Sequence, residues 1–355
     1  MFNLHFKPNK LPSLKTLNSL TNNVGIVQHT RYQTPDFRHG YCLDDNARAL
    51  VFLSRYINAT KKNKQNVIKL CDTYLSYINI CQRPDGWMHN FISFDNHFLD
   101  EVGSEDSFGR AMWGLGECAT YNMDKEQKLL ARDMLMHSLV RILELKSPRA
   151  IAYCLLGLVP FYLATKNKNV KKVIICESIT LTSLYNKNDT TKWHWFENIL
   201  AYSNALLPMA LLMSASALHY SEPKKIALES FNWLLEQTEV KDNNGLIIAS
   251  PIGNRGWYSK DGKKAVLDQQ PIDVSITVLA ACYFYKITGD SKYKKTAYRW
   301  FSWFAGINIE NIKVANFEEG FCYDGLQKKS TSQNHGAESI IALLLAQLEI
   351  YNLTK

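Results

Sequence analysis

No stretch of the chain approaches the ~18 uninterrupted apolar residues that a membrane-spanning helix needs, which argues against a membrane protein. Period-two alternation of apolar residues is rare and short, which excludes a fold built mainly on sheet. The eight cysteines (42, 71, 81, 118, 154, 176, 282 and 322) never fall into CxxC spacing, so a zinc site is not indicated. They lie mostly in apolar helical runs and read as reduced, buried thiols of an intracellular protein. No Gly-rich phosphate turn follows a strand, which excludes a nucleotide-sugar transferase of the ordinary α/β build. Linkers rich in Pro, Gly or Ser are missing too, and residues 1–10 have no apolar core followed by a small-residue cleavage site. A cytoplasmic location is therefore expected, and neither a metal nor a cofactor is called for.

What the chain does have is apolar content and helical period. With 355 residues and 46% hydrophobic content it can bury a continuous core, and an ordered chain is expected. The formal charge of +8 comes from 41 basic against 33 acidic residues. The lysines are scattered through polar stretches such as 166–172, as solvated helix ends are, so no nucleic-acid partner is expected. Apolar residues recur at i, i+3, i+4 and i+7, which predicts helices over 14–21, 45–57, 65–82, 106–121, 125–145, 148–165, 170–185, 199–218, 223–237, 272–288, 291–305 and 337–351. If the first pairs with the last, these twelve make six hairpins that close into an all-α (α/α)6 toroid, one domain over 1–355 with long loops at one end. An open solenoid would need a regular repeat of roughly 34 to 47 residues, and none is visible. The most apolar runs, 199–217, 272–285 and 337–348, are expected to be inner helices.

Carboxylates stand at the mouths of these apolar runs, after loops crowded with aromatics, Gly, Asn or His: Asp44 and Asp45, Glu105 and Asp106, Glu197, the Asp268 to Asp273 stretch, and Glu338. Each alone suits a helix start, where an acid binds free backbone amides and complements the macrodipole. Their company suggests more. Arg38, His39, Tyr41, Asn46 and Arg48 crowd the first pair, with Arg48 three residues beyond Asp45 and placed to orient or neutralise it. Trp87 and Arg110 flank the second; Trp87 either stacks on a sugar face or seals its hairpin. Trp193, His194 and Trp195 precede Glu197, and one of the two tryptophans is expected in the core. Tyr202 and Asn204 fall in the otherwise apolar run that follows, where polar groups require partners. Gln269 and Gln270 carry amides suited to vicinal hydroxyls, near Asp273. Asn334, His335 and Glu338 form a polar trio at the last inner helix.

Gathered at one end of a barrel, such residues would make a carbohydrate site. Hydrolysis with inversion needs a proton donor and a base ~6.5 to 9.5 Å apart. Asp45 with Asp106 is the expected pair, with Glu105 as substitute and the other residues holding substrate hydroxyls. Two other readings stay open: a sugar 2-epimerase using His39, His194 or His335, and a toroid that binds carbohydrate without catalysis.

The segments HGYCLDDNARAL (39–50), SEDSFGRAMWGLG (104–116), WHWFENILAYSNALLPMAL (193–211), DQQPIDVSITVLAA (268–281), CYDGL (322–326) and NHGAESIIALLLA (334–346) resemble a bacterial family of helical toroids. The resemblance runs from about Gly25 to Tyr351. Members are free-standing or fused behind a glycosyltransferase domain, and are often encoded near β-mannoside phosphorylases. More widely, the chain resembles six-hairpin glycosidases, unsaturated glucuronyl hydrolases and sugar 2-epimerases. The resemblance implies an (α/α)6 fold, a mannose-type oligosaccharide substrate, and a glycosyltransferase or mannoside phosphorylase as functional partner. Asp273 stands where relatives carry Glu, and His335 where Gln or Asn is commoner, which alters subsite detail.

Overall fold

A computed structural model describes residues 10–60 and 64–355, so all but the last residue of the 1–10 segment considered above lies outside the described residues. The helical period resolves into twelve α-helices among the described residues: α1 Lys15–Leu20, α2 Leu43–Ala59, α3 Lys64–Cys81, α4 Glu105–Thr120, α5 Lys125–Ser138, α6 Pro148–Thr165, α7 Lys168–Asn188, α8 Leu206–Leu218, α9 Ser221–Thr238, α10 Pro271–Thr288, α11 Ser291–Ser302 and α12 Ala337–Leu353. The even-numbered helices pack side by side in chain order, and α12 closes against α2. The odd-numbered helices α3 to α11 lie outside them, with α1 against α12. The result is an (α/α)6 toroid.

Sequence explains the layering. A helix surrounded on all sides must be apolar on all sides, and α10 is buried without a break from Pro271 to Cys282. In contrast, α11 buries Tyr293, Ala297, Trp300 and Phe301 and turns its lysines outward. By length and mean hydropathy α6 would also suit a bilayer, yet 67% of it is buried within the ring as a core helix. Seven of the eight cysteines are buried and all are unpaired; Cys176 lies exposed on α7.

Two element boundaries differ from the helical pattern. The α8 run begins at Leu206 and not at residue 199, because Ile199–Leu200 pairs with Tyr258–Ser259 and Ser203 takes a left-handed φ of 49° that no right-handed helix admits. Tyr202 and Asn204 therefore sit in the turn entering α8, not inside it. The α5 helix ends at Ser138 and continues as a 3-10 helix over Leu139–Glu144. Short two-stranded ribbons stitch the loops, including Tyr41–Cys42 with Phe91–Ile92, which ties the loop before α2 to the loop before α4.

Because every hairpin runs inner helix then outer helix, all the inner helices point the same way. Their N-termini converge at one end of the ring. The closest inner contact is α4 on α6: a Cβ at Gly116 would overlap the Gly157 carbonyl, and one at Gly157 would overlap the Met112 carbonyl. Glycine weakens a helix by ~1 kcal/mol relative to alanine, so its use here reflects backbone approach. Gly157→Ala is expected to lower stability by ~1 to 3 kcal/mol, the usual cost of overpacking, despite the better helix former. Chemical denaturation checks this; a neutral or stabilised variant would contradict the contact.

Candidate active site

The converging N-termini each present unpaired amides and a partial positive charge. Carboxylates answer them: Asp44 and Asp45 in the first turn of α2, Glu105 and Asp106 in that of α4, Asp273 in that of α10, and Glu338 in that of α12. Ser104 and Ser147 cap α4 and α6 through their hydroxyls.

Two buried arginines organise four of these acids. Arg48, only 2% exposed, reaches Asp45 Oδ1 through Nη1 at 2.8 Å and Glu338 Oε2 through Nη2 at 2.7 Å. Arg110 reaches Asp44 Oδ1 through Nη1 at 3.1 Å and Asp106 Oδ2 through Nη2 at 3.6 Å, with its guanidinium 4.6 Å over the Tyr153 ring. Asp106 accepts two further hydrogen bonds, from the Ser147 hydroxyl at 2.9 Å and the Tyr202 hydroxyl at 2.7 Å. Both Asp45 oxygens are likewise engaged, the second by the Cys42 thiol at 3.1 Å. Asp44 and Glu338 differ. Each spends one oxygen on an arginine and has its other oxygen without a protein partner among the described residues, with side-chain exposures of 25% and 40%.

These groups line a cavity of about 520 Å³ whose walls include Asp44, Asp106, Arg110, Tyr202, Gln270 and Glu338. Asp44, Arg48, Gln270 and Glu338 also line an adjoining lobe of about 290 Å³, where Asp45, His29 and Asp324 are added. Burial, opposed by Arg48 and reinforced by the Glu338 charge, pushes the Asp45 carboxyl up to about 7. Asp273 is pushed up to about 7 as well, chiefly by burial and against the Ser203 amide that it binds at 2.6 Å. Burial, and then neighbouring His39, lowers the pKa of His29.

Of the residues singled out in the sequence, Asp44, Asp45, Arg48, Glu105, Asp106, Arg110, Tyr202, Gln270 and Glu338 come together here. Glu105, offered as a substitute catalyst, spends its Oε2 on the backbone amides of Lys146 and Ser147, so its oxygen fastens the entry to α6. The others are drawn elsewhere by packing. Tyr41 is interior, on a strand, with its hydroxyl accepting from Asn22 at 2.6 Å. Trp87 packs on Phe108 beneath Arg141, which is the hairpin-sealing alternative. Trp195 is fully buried against Phe196 and Trp233. Glu197 is paired with Arg149 at 2.6 Å, Asn204 closes its own turn on Ala201, and Gln269 is buried between Trp303 and Ser250. Asp273 braces the strained Ser203. His335 is stacked 4.4 Å over Phe321, and Asn334 lines a neighbouring cavity.

Sequence reasoning missed Gln28, His29 and Ser147 in the walls, and Arg149 behind them. Gln28 and His29 lie on a stretch with no helical period, and Ser147 and Arg149 belong to α6, which like α8 is an inner helix without an acid in its first turn. Asp324 entered only within the CYDGL segment; its Oδ1 accepts the Gly336 amide at 2.6 Å and so positions the start of α12.

No protein-family model and no curated protein matches the chain. Solved structures do. Cellobiose 2-epimerase from Bacillus thermoamylovorans superposes with a TM-score of 0.73 at 11% identity, covering 95% of this chain and 96% of that one. A D-mannose isomerase gives 0.70 at 13% identity, with 96% of each chain covered. A family 76 mannosidase from Bacteroides thetaiotaomicron gives 0.67 at 10%, again with 96% of each. At such identities the likeness is one of fold: the chain is an (α/α)6 toroid of the same overall architecture.

The raised Asp273 carboxyl has a consequence for stability. A carboxyl held above its ordinary value of ~3.9 binds more protons folded than unfolded between ~4 and its folded value of about 7. Its contribution is therefore full at low pH and is lost as pH rises through that window. Asp273→Asn keeps an oxygen for the Ser203 amide but cannot ionise. Melting temperatures measured from pH 4 to 8 are expected to shift steadily in the variant's favour as pH rises; a difference that is flat or moves the other way would contradict the buried, proton-binding carboxyl.

Proposed function

We propose that the protein is a carbohydrate-active enzyme, a glycoside hydrolase acting on mannose-type oligosaccharides by carboxylate acid/base catalysis. One observation carries the reading. Asp44 and Glu338 stand on adjacent inner helices, each anchored through one oxygen to a buried arginine with the other oxygen left unpaired, at one cavity with the Gln270 amide and the Tyr202 ring. Hydrolysis asks for such a pair: one carboxyl protonates the leaving oxygen while the other, as carboxylate, activates water. The sequence pointed to Asp45 with Asp106, but both oxygens of each are occupied. We assign those two to positioning: Asp45 orients Arg48, and Asp106 locks Tyr202 and Arg110.

Charge narrows the substrate. The two lobes bring six carboxylates (Asp44, Asp45, Glu105, Asp106, Asp324, Glu338) against two guanidinium groups, within a chain of net charge +8. Such a cavity disfavours phosphorylated and uronic sugars and suits neutral ones. The fold neighbours are a mannosidase, a mannose isomerase and a cellobiose epimerase, which is in keeping with a neutral hexose substrate.

The epimerase reading calls for imidazoles that pass a proton. Of the histidines weighed for it, His39 lies outside both lobes, His194 is paired with Asp189, and His335 is stacked behind Phe321. Among the described residues only His29 lines either lobe, the smaller one, so carboxylate chemistry is the better supported. A cytoplasmic location belongs to the same proposal and rests on the cysteine usage, and a glycosyltransferase or mannoside phosphorylase as partner rests on the resemblance in the sequence motifs.

Product analysis by NMR on mannobioses and mannose tests the reaction: released mannose supports hydrolysis, and an epimer from free sugar overturns it. On a hydrolysed substrate, Asp44→Asn and Glu338→Gln are expected to lower kcat by ~10²- to 10⁴-fold with folding intact. Asp106→Asn keeps an oxygen for Ser147 or Tyr202 and is expected to lose less. Near-wild-type rates in both Asp44→Asn and Glu338→Gln would return the assignment to Asp45 and Asp106.

A further inference from the structure

Next to the carboxylate cavity lies another of about 580 Å³, whose walls include His29, Tyr32, Asp36, Arg38, Gln333 and Asn334. His29 lines both this cavity and the Asp45 lobe, so the two adjoin across one imidazole. Its walls are unlike those of the catalytic cavity. Arg38 and Asp36 neutralise each other through hydrogen bonds at 2.8 and 2.5 Å, and the Gln333 oxygen and the Asn334 nitrogen are left for sugar hydroxyls, since Gln333 Nε2 donates to the Thr331 carbonyl at 3.2 Å and Asn334 Oδ1 is taken by a backbone amide. Arg31 adds one positive charge.

The tip of the Thr30–Arg31 and Thr34–Pro35 hairpin projects Tyr32 at this cavity, 63% exposed and with a left-handed φ of 57°. A bulky aromatic in that backbone region is uncommon and costs free energy. Three hydrogen bonds hold it there: the Tyr32 amide donates to Asn334 Oδ1 at 3.4 Å, the Thr30 hydroxyl donates to the Tyr32 carbonyl at 2.6 Å, and the His335 amide donates to the Thr30 hydroxyl at 2.8 Å. The last two tie the tip to the segment that leads into α12 and Glu338. An exposed ring fixed to the backbone that carries a cavity carboxylate keeps its distance from the reacting bond.

We propose that this second cavity is a distal sugar subsite, with the Tyr32 ring as its stacking platform, so that the substrate is a neutral oligosaccharide long enough to occupy both cavities. The proposal deepens the hydrolase reading and rests on it for the identity of the first cavity. It also explains the placement of Asn334, which the sequence pointed to as a sugar contact and which the structure puts in this cavity.

Calorimetric titration of the Asp44→Asn protein with mannobiose, mannotetraose, cellobiose and cellotetraose tests it. In at least one series the tetraose is expected to bind about tenfold or more tighter than the biose. Adding Tyr32→Asn, which tolerates the left-handed backbone without a ring, should abolish that gain and leave the biose affinity unchanged. Equal affinity at both lengths, a gain that survives Tyr32→Asn, no binding of either series, or preference for acidic uronate oligomers would each overturn the proposal. Wild-type turnover is read separately. Length-dependent binding that needs Tyr32, with no bond cleaved, would sustain the subsite and sink the hydrolase reading; cleavage whose kcat/KM ignores both chain length and Tyr32 would do the reverse.

Discussion

Two guanidinium groups buried at the convergence of six parallel helix N-termini set the terms for everything around them. Arg48 and Arg110 lie where the helix ends already contribute positive potential, so neither charge would be tolerable there alone. Asp45 and Glu338 answer the first, and Asp44 and Asp106 the second. Removing the buried Asp45 would leave the buried Arg48 charge short of a partner, a change that costs ~3 to 5 kcal/mol in a buried pair. The acidity of the cavity is thus first a requirement of folding. The proposed catalysis draws on the two of the four acids that keep an oxygen in reserve.

The opposite end of the ring shows the complementary arrangement. There the inner helices present carbonyls, and Arg55 sits among them, paired with Glu117 and Glu349 at 2.5 and 2.9 Å. A cation at helix C-termini is favourable in itself. Glu117 gives it both oxygens and also accepts from the Trp113 indole at 3.0 Å, while Glu349 gives it Oε1. The two ends therefore differ in their walls: one sets a single guanidinium in a cavity with apolar sides such as Leu156, Val159 and Met209, the other sets two guanidinium groups among six carboxylates.

Much of this was legible in the sequence because helical period and acid position are local signals. The runs leading to α2, α4, α10 and α12 announced both the inner helices and the acids at their mouths. What stayed hidden depended on packing across helices. Nothing in the order of residues indicates that Asp45 is pinned between Cys42 and Arg48 while its neighbour Asp44 faces the cavity, since one residue along a helix turns a side chain by about 100°. Trp195 and Tyr41 misled for a related reason. An aromatic beside an acid reads as a sugar platform, yet large rings contribute most to stability when buried, and these two are. His29 escaped notice because it sits on a segment whose course is set by the hairpin and by the loop before α12, not by any period of its own.

The central claim is that Asp44 and Glu338, held apart by the two arginines, are the carboxylates that meet the reacting bond. A crystal structure with a manno-configured iminosugar, whose ring nitrogen stands in for the charge that develops at the sugar ring, tests it most directly. The account predicts the ring between Asp44 and Glu338, in contact with their unpaired oxygens, while Arg48 and Arg110 keep the pairings described above. An iminosugar bound against Asp45 and Asp106 instead, or bound away from this cavity altogether, would contradict it.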